Sequence, residues 1–501
     1  MLFNSVEFLA FFLPQVFIGF LLLRHWSGPV LGWLALASLV FYAWWEPAYL
    51  LLLLGSASFN FLLARLMDAR RGRSSGRSWL ILGVIANLAL LGFYKYAGFA
   101  VDTLAHLAGL QLDSPSLVLP LAISFFTLQQ IAYLVDVYQG QRAETQPLIY
   151  LLFVCFFPQL IAGPIVHHRQ VVPQFRRIRE PGEQRLLAPA VVLIVLGLAK
   201  KVLVADNLAL LATPGYASEA IGQLAALDAW VCMLAYTLQL YFDFSGYCDI
   251  ALGLALLFGI RLPVNFLSPL KADSIIEFWH RWHMTLSGFL RDYVYIPLGG
   301  NRRGQARRGL NLMLTMLVGG LWHGAGWNFV LWGGMHGFFL LINHGFRRVI
   351  PAGRGVARVF LGRVITFMAV AVAFVYFRAP SLEVGNHLLI ALPGDVSGGF
   401  SSYYLGQIHS SFQFELLGLA AGALGGTAFC LLLLLLTLAL AQMAPNALEI
   451  VNSEKVGFEG VLPASRLHFS PNLWWSLFLA TTLWLVVLSL TRVSPFLYFQ
   501  F

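Results

Sequence analysis

The segments FWHRWHMTLSGFLRDYVYIPLGGN (Phe278–Asn301) and GGLWHGAGW (Gly319–Trp327) place histidine, arginine, aspartate and tryptophan inside an otherwise apolar chain. Of the 501 residues, 59% are hydrophobic and 11% are charged, whereas a soluble domain is about 45–50% apolar and about 25% charged. This composition predicts an all-α, polytopic membrane protein. Polar residues are costly within a bilayer unless they have a function there, so the region Tyr241–His344 is predicted to carry the function.

Apolar runs of about 20 residues, the length that a membrane-spanning helix needs, recur along the whole chain and predict about a dozen crossings. The predicted spans are Val6–Leu23, Val30–Trp45, Tyr49–Leu66, Trp79–Tyr96, Leu117–Tyr138, Leu148–Ile165, Pro189–Val204, Ala226–Ile260, Leu310–His344, Val359–Tyr376, Leu416–Gln442 and Leu473–Leu490. Ala226–Ile260 is long enough for two pieces, with a break near Ser245–Gly246. Proline and glycine in FFPQLIAGPIV (Phe156–Val166) and GGLWHGAGW predict non-helical backbone. Such backbone survives at membrane depth only where protein buries it or it lines a wet cavity.

The net charge of +9 is explained by membrane topology better than by nucleic-acid binding. Basic residues concentrate in short loops, which the positive-inside rule places in the cytoplasm; the loops are Asp68–Arg77, His167–Arg185, Asn301–Arg308 and Arg347–Arg358. Three spans precede the first loop, so the N-terminus is predicted to lie outside the cytoplasm. These basic loops are predicted to attract anionic membrane lipids or an anionic cytoplasmic substrate. The four cysteines form no C-x-x-C pair and are predicted to be buried hydrophobes.

Taken as one helix, Ser274–Asp292 carries a polar stripe of unusual composition. At about 100° per residue, four polar side chains share one face and aromatic and aliphatic side chains share the other. The members of the stripe are His280, His283, Ser287 and Arg291. The stripe is either the wet face of an interfacial helix or part of a site that includes His323.

His323 lies in an apolar, glycine-rich setting beside Trp322. Burial favours the neutral imidazole, the form that a general base requires; the alternative is a histidine bonded to a helix carbonyl. His336, on the same run, is predicted to have a supporting or packing role. Together His280, His283 and His323 offer three nitrogens, enough for a zinc ion. No H-E-x-x-H or carboxylate pattern accompanies them, so no bound metal is predicted.

Asp243 and Asp249 lie in the apolar run LQLYFDFSGYCDIALG (Leu238–Gly253). A buried carboxylate needs a partner, and Arg281 and Arg291 are candidates. Lining a hydrated cavity is the alternative for both aspartates. The chain has no P-loop, dinucleotide fingerprint or nucleophile elbow in a usable context.

Several long motifs in one order resemble the membrane-bound O-acyltransferase superfamily, and within it the branch that acetylates bacterial cell-surface glycans such as alginate. They are LPLAISFFTLQQIAYLVDVY (Leu119–Tyr138), FFPQLIAGPIV, QLYFDFSGYCDIALGLALLFGI (Gln239–Ile260), FWHRWHMTLSGFLRDYVYIPLGGNR (Phe278–Arg302) and LTMLVGGLWHGAGWNFVLWGGMHG (Leu314–Gly337). The resemblance implies one domain over residues 1–501, with a signature core at about 119–345 and further helices over 359–501. It implies a ring of tilted helices around a thin central cavity, with re-entrant and amphipathic segments.

The resemblance also implies the chemistry. His323, in the W-H-G motif, is expected to be catalytic, and His283, in the R-W-H motif, to be the second important histidine. The donor is expected to be acetyl-CoA or another acyl-CoA, used as substrate with no bound cofactor. The acceptor is expected to be an exported polysaccharide, reached from the bacterial inner membrane through a periplasmic acetyltransferase. Gly288 departs from the family, which commonly has tryptophan there. A transporter or export channel is the alternative from another class, and a lipid or lipidated protein is the alternative acceptor.

Overall fold

The computed structural model describes residues 1–70, 75–115, 117–178, 186–349, 355–411, 425–452, 456–458, 465–490 and 496–497. Throughout these ranges the regular structure is helical, and no strand occurs in them. The predicted all-α fold is therefore confirmed. Parts of the predicted basic loops and of the span Leu416–Gln442 lie outside the described residues. The ring of helices and the single domain stay predictions.

The chain divides into two compact units. The first comprises Met1–Leu198, Tyr247–Val264 and the described residues from Ala447 onward, and the second comprises Ala199–Gly246 and Asn265–Asn446. Helices assigned to the first unit are α1 (Leu13–Leu23), α2 (Ser27–Ala43), α3 (Ala48–Ala69), α4 (Ser75–Leu91), α5 (Ala97–Ala108), α6 (Ile123–Tyr138), α7 (Pro147–Cys155), α8 (Phe157–Leu160), α9 (His168–Arg176) and α10 (Leu187–Leu198). The second unit contains α11 (Asp206–Ala212), and α12 (Ala226–Leu257) contributes residues to both.

The remaining helices continue in chain order. They are α13 (Ile275–Arg281), α14 (Met284–Leu290), α15 (Gly304–His323), α16 (Trp327–Val349), α17 (Val356–Arg378), α18 (Leu382–Ala391), α19 (Ser402–Ser411), α20 (Gly426–Met443), α21 (Ala447–Ile450) and α22 (Leu473–Ser489). Segments of π-helix cover Glu7–Phe12, Gly92–Tyr96, Ala199–Ala205 and Arg291–Tyr295, and 3₁₀ turns cover Thr213–Tyr216, Ser218–Ala220 and Pro269–Lys271. Helices α13 to α20 belong to the second unit, and α21 and α22 to the first.

Helices of membrane-spanning length occur in both units. Among the described residues five are long and apolar enough to cross a membrane, namely Ala48–Ala69, Gly76–Ala108, Leu187–Tyr216, Ala226–Leu257 and Val356–Arg378. Four shorter apolar helices accompany them, at Glu7–Leu23, Ser27–Ala43, Ala428–Met443 and Leu473–Ser489. The chain is therefore a multi-pass membrane protein. The described helices account for fewer full-length spans than the predicted dozen because several predicted runs are shortened or broken.

One predicted break is confirmed and another is wrong. Helix α7 ends at Cys155, and the chain leaves helical geometry at Phe156 before the short α8. The residues of this break are buried, and the Phe157 N–H donates to Ser38 Oγ at 3.1 Å. The break proposed at Ser245–Gly246 does not exist, because α12 is continuous there. One glycine costs a helix only about 0.5–1 kcal/mol, and the surrounding packing outweighs that cost.

An aromatic cluster forms the core of the first unit around this break. The rings of Phe8, Phe41 and Phe157 lie 5.6–6.2 Å apart, and Phe258 joins Phe157 at 5.8 Å. All four side chains are almost completely buried. Aromatic pairs at these separations add to the stability that their buried area provides. The non-helical segment is thus held in place by protein, as the membrane environment requires.

A buried carboxylate, Glu144, organises the loop between α6 and α7. Its side chain has no exposed surface and accepts two hydrogen bonds from Arg176 Nη2, at 2.7 and 2.9 Å. The backbone N–H groups of Thr145 and Gln146 also donate to it, and His168 Nε2 lies 3.7 Å away. Burial alone raises the pKa of this carboxyl, but the hydrogen bonds of its neighbours outweigh burial and lower the pKa to about 2.

Acid should therefore weaken the first unit through Glu144. A carboxyl whose pKa is lowered in the folded state stabilises the fold fully above its ordinary value of 4.5, and this contribution is lost as the pH falls toward 2. Glu144→Gln is expected to lower the unfolding free energy by about 1–3 kcal/mol at neutral pH, allowing for the solvent-exposed Arg176. It should also flatten the dependence of Tm on pH below 4.5. Thermal unfolding in detergent measures both, with the exposed Glu46→Gln as control; equal slopes for Glu144→Gln and wild type would contradict this role.

Candidate active site

His323 is the last residue of α15, and the chain becomes extended at Gly324 before α16 begins at Trp327. Only 4% of His323 is exposed. Its ring lies 5.0 Å from Trp332 and 5.1 Å from Phe377, both nearly perpendicular to it, and 4.9 Å from Trp322. The predicted interruption of the run Leu310–His344 is thus confirmed. The break leaves the imidazole of His323 surrounded by aromatic rings, in a region of low dielectric constant.

Glycines let α15 and α16 approach each other at the level of the backbone. A Cβ atom at Gly333 would stand 2.4 Å from Met316 O and 3.2 Å from Gly320 Cα. A Cβ atom at Gly320 would stand 2.3 Å from Phe329 O. Small residues that permit close helix approach are typical of membrane interiors. This contact places Trp332, which lies about one turn after the start of α16, against the ring of His323.

Gly333→Ala is expected to disturb the site although the change is only one methyl group. The new Cβ meets a backbone oxygen that cannot rotate away, and overpacking of this kind costs about 1–3 kcal/mol. Gly334→Ala is a matched control, because the nearest atom to its Cβ is Leu317 Cδ2 at 3.7 Å, an ordinary contact. Thermal unfolding in detergent and acyl transfer should both fall for Gly333→Ala and stay near wild type for Gly334→Ala. The same behaviour in both variants would show that the glycine contact does not position α16.

The predicted single helix over Ser274–Asp292 is wrong. The chain forms α13 and α14 with a break at Trp282–His283, where His283 adopts left-handed backbone angles, φ 43° and ψ 53°. This conformation costs a non-glycine residue about 1–2 kcal/mol, and strained residues cluster at functional sites. The break turns His283 away from the predicted stripe, and its side chain is completely buried.

Hydrogen bonds from the preceding loop hold this break. Leu267 N donates to Arg281 O at 3.0 Å, and Met284 N donates to Asn265 O at 3.0 Å. The side chain of Asn265 also contacts the His283 ring, with Asn265 Oδ1 3.2 Å from His283 Nδ1. Asn265 is fully buried. The loop between α12 and α13 therefore decides the position of a histidine 18 residues later in the chain.

His283 and His323 come together in space. Their ring centroids lie 6.2 Å apart at an interplanar angle of 60°, and Trp322 lies near both rings, 4.9 Å from His323 and 6.0 Å from His283. Phe244 packs edge-on against His283 at 4.8 Å. Catalytic hydrogen bonds span about 2.6–3.2 Å, so one small reacting group can contact both imidazoles. Two buried histidines at this separation form a site suited to proton transfer.

The other members of the predicted stripe do not join this pair. His280 and Arg291 are exposed, and Arg291 is paired with the adjacent Asp292 at 2.7 Å. Ser287 is half-buried, and its hydroxyl donates to Trp282 O at 3.4 Å. The helical arithmetic grouped these side chains with His283 because it did not include the break between α13 and α14.

His336 is completely buried in an aromatic cluster next to the site. Its ring lies 4.8 Å from Trp332 and 5.1 Å from Trp279, and stacks on Phe278 at 6.2 Å. Trp332 therefore stands between His336 and His323. His336 therefore packs against Trp332, the residue that contacts His323, and supports the site without contacting His323 through the ring contacts described.

The partner of Asp243 is a residue that the sequence interpretation missed. Lys201 Nζ lies 2.7 Å from Asp243 Oδ1 and 2.7 Å from Asp206 Oδ1. The proposed pairing of Asp243 with Arg281 or Arg291 is wrong, because Arg281 pairs with Glu277 and Arg291 with Asp292. The available signal was Lys201 itself, a lysine in the apolar run Leu198–Ala205, since a charge there needs an opposite charge.

Other residues of the site also escaped the sequence interpretation. Asn265, Trp332 and Phe377 contact the two histidines from elements far along the chain. Asn265 carried a weak signal, an amide within the apolar segment LPVNFL (Leu262–Leu267). At Gly288 a Cβ atom would meet nothing within 4 Å. The space beside α14 therefore leaves room for a larger side chain at this position.

The chain thus combines helices long enough to span a membrane with two neighbouring buried histidines that form a candidate acid–base site. Comparison with known proteins identifies its family. The family model of the membrane-bound O-acyltransferases matches residues 145–385, which include both histidines. The chain is 42% identical to the peptidoglycan O-acetyltransferase of Helicobacter pylori over 82% of this chain and 83% of that one. It is 38% identical to the probable alginate O-acetylase AlgI of Pseudomonas aeruginosa over the full length of both.

More distant similarity extends to a teichoic acid D-alanyltransferase of Streptococcus thermophilus, at 31% identity over 46% of this chain and 57% of that one. The chain belongs to the membrane-bound O-acyltransferase family and is an acyltransferase. The resemblance inferred from its motifs is confirmed.

Proposed function

We propose that this protein moves an acetyl group from a cytoplasmic thioester, acetyl-CoA, across the bacterial inner membrane for O-acetylation of an exported polysaccharide such as alginate. The observation that carries the proposal is the buried His283–His323 pair, with ring centroids 6.2 Å apart. The names of the relatives, an alginate O-acetylase and a peptidoglycan O-acetyltransferase, support a glycan as the final acceptor. A periplasmic acetyltransferase would complete the transfer to the glycan.

His323 acts as the general base. Its neutral imidazole takes the proton of an acceptor hydroxyl as the hydroxyl oxygen attacks the thioester carbonyl. The new C–O bond forms, the C–S bond breaks, and the departing sulfur leaves as the thiol of CoA once it has received a proton. His283 contacts the same reacting groups. The acceptor hydroxyl belongs either to the periplasmic partner or to a relay intermediate.

The position of His323 along α15 supports transfer across the membrane. The helix begins at Gly304, beside the exposed arginines Arg302 and Arg303, and ends at His323. Twenty helical residues are about 30 Å long, so nearly the full length of the helix separates His323 from these arginines. With the basic loop in the cytoplasm, where it can attract the donor's phosphates, the histidine lies toward the other side. With the basic loop Asp68–Arg77 also in the cytoplasm, the three spans before it would put the N-terminus in the periplasm.

Proteoliposomes containing the purified protein test this function, with [acetyl-¹⁴C]acetyl-CoA on one side of the membrane and the acceptor polysaccharide and its periplasmic acetyltransferase on the other. Release of free CoA thiol together with label in an ester product is the expected result, and His323→Ala should abolish both. Passage of glycan across the vesicle membrane without thiol release would instead indicate a transporter. Label recovered in lipid or in a lipidated protein would change the acceptor. In cells, His323→Ala should remove the alkali-labile acetyl esters of the exported polysaccharide.

A further inference from the structure

Asn265 contacts the side chain of His283, at the break between α13 and α14, and the backbone of the residues that follow His283. Its Oδ1 atom lies 3.2 Å from His283 Nδ1, 3.2 Å from Thr285 N and 2.9 Å from Thr285 Oγ1. Its backbone oxygen accepts the N–H of Met284 at 3.0 Å. One residue thus brackets the left-handed turn at His283 from two sides.

These contacts determine which nitrogen of His283 carries the proton. A backbone N–H is always a donor, so the Asn265 atom that Thr285 N contacts must be the amide oxygen and not the amide nitrogen. The same oxygen faces His283 Nδ1. An oxygen acceptor requires a donor opposite it, so Nδ1 carries the hydrogen. In the neutral imidazole, Nε2 is then a lone-pair acceptor.

We propose that Asn265 is a positioning residue that holds His283 in the Nδ1–H tautomer, with Nε2 presented to the substrates as a hydrogen-bond acceptor. This inference rests on the proposed function. A neutral His283 in this tautomer cannot donate from Nε2 to the developing oxyanion. It instead accepts a hydrogen bond and orients a donor group. The nearest such group to the reacting carbonyl in an acyl-CoA is the amide N–H of the cysteamine unit, three bonds from the thioester sulfur.

The role assigned to Asn265 also explains the strain at His283. Left-handed backbone geometry persists in a non-glycine residue only where its surroundings over-determine it. The Asn265 main chain supplies one such constraint and its side chain supplies another. Residues that orient a catalytic imidazole through its second nitrogen change activity by about 10–100-fold at metal sites, and we expect a comparable effect here.

Magic-angle-spinning NMR of protein containing ¹⁵N-labelled histidine, reconstituted in lipid, tests the tautomer directly. The signal of His283 is assigned by its disappearance in His283→Gln. Wild type should show protonated Nδ1 and bare Nε2. Asn265→Leu, which removes the acceptor at similar volume, should shift the signal toward the Nε2–H tautomer. Asn265→Asp, which keeps an oxygen there, should retain Nδ1–H. An unchanged tautomer in Asn265→Leu would overturn the proposal.

Acetyl-CoA kinetics provide the second readout. Asn265→Leu should lower kcat/KM by about 10–100-fold, and Asn265→Asp should recover part of the loss. Asn311→Leu is the control, because Asn311 is equally buried and donates to Gly300 O at 3.1 Å, away from His283 in sequence. A tautomer change without loss of activity would also overturn the positioning role. If wild type does not use acetyl-CoA, the proposed function fails while the NMR result still decides the tautomer.

Discussion

Replacing His323 with alanine is expected to abolish acyl transfer while leaving the protein folded and inserted. General-base catalysis contributes about 10²–10⁴-fold to rate, and His323 holds this base between the rings of Trp332 and Phe377, 5.0 and 5.1 Å away. The loss should appear in kcat, because the imidazole acts on the acceptor proton during the reaction. Thiol release from acetyl-CoA by wild-type and variant proteoliposomes measures the effect.

Two controls separate chemistry from folding in this experiment. His280→Ala removes a histidine that is exposed on α13 and should keep nearly full activity. Thermal unfolding in detergent should show His323→Ala within a few degrees of wild type. Full activity of His323→Ala would remove His323 from the mechanism. A His280→Ala variant as inactive as His323→Ala would mean that the exposed stripe, and not the buried pair, carries the reaction.

Lys201→Met is expected to cause the largest loss of stability. Lys201 is 5% exposed and pairs with Asp243, whose side chain is completely buried. Removing one partner of a buried ion pair leaves an uncompensated charge and costs about 3–5 kcal/mol. The variant should therefore unfold at a markedly lower temperature in detergent and insert poorly in cells.

A rescue variant shows whether the buried charge is the cause. Lys201→Met combined with Asp243→Asn removes the stranded carboxylate and should recover part of the lost stability. Lys200→Met, at the half-buried neighbouring position, should have a smaller effect. A Lys201→Met protein with wild-type Tm would show that the pair does not stabilise the fold. A double variant less stable than the single one would show that Asp243 stabilises through other contacts.

Local composition was sufficient to predict much of the fold. The apolar runs predicted an all-α membrane protein, and proline and glycine predicted the interruptions at Phe156 and Gly324. These features depend on residues close together in sequence, since a helix interior loses a hydrogen bond at proline wherever the helix packs. The two histidines were selected by the family resemblance of their motifs, because helical periodicity alone ranked His280 with His283.

The errors share one physical cause. Treating Ser274–Asp292 as one helix ignored the hydrogen bonds that Leu267 and Asn265 make across the break. The break predicted at Ser245–Gly246 overestimated the free-energy cost of a glycine within a helix, which tertiary packing outweighs. In both cases intrinsic preference is about 1 kcal/mol or less per residue, which long-range contacts override.

Composition and apolar runs were enough to predict the membrane class, and the family resemblance of FWHRWHMTLSG and GGLWHGAGW was enough to select the candidate histidines. Helix packing established that His283 and His323 lie 6.2 Å apart, that Asn265 contacts the His283 ring and that Lys201 pairs with Asp243. These pairs join residues separated by 40, 18 and 42 positions. Their distances follow from how helices pack, because buried charges and imidazoles take whichever partners the packed helices bring near them.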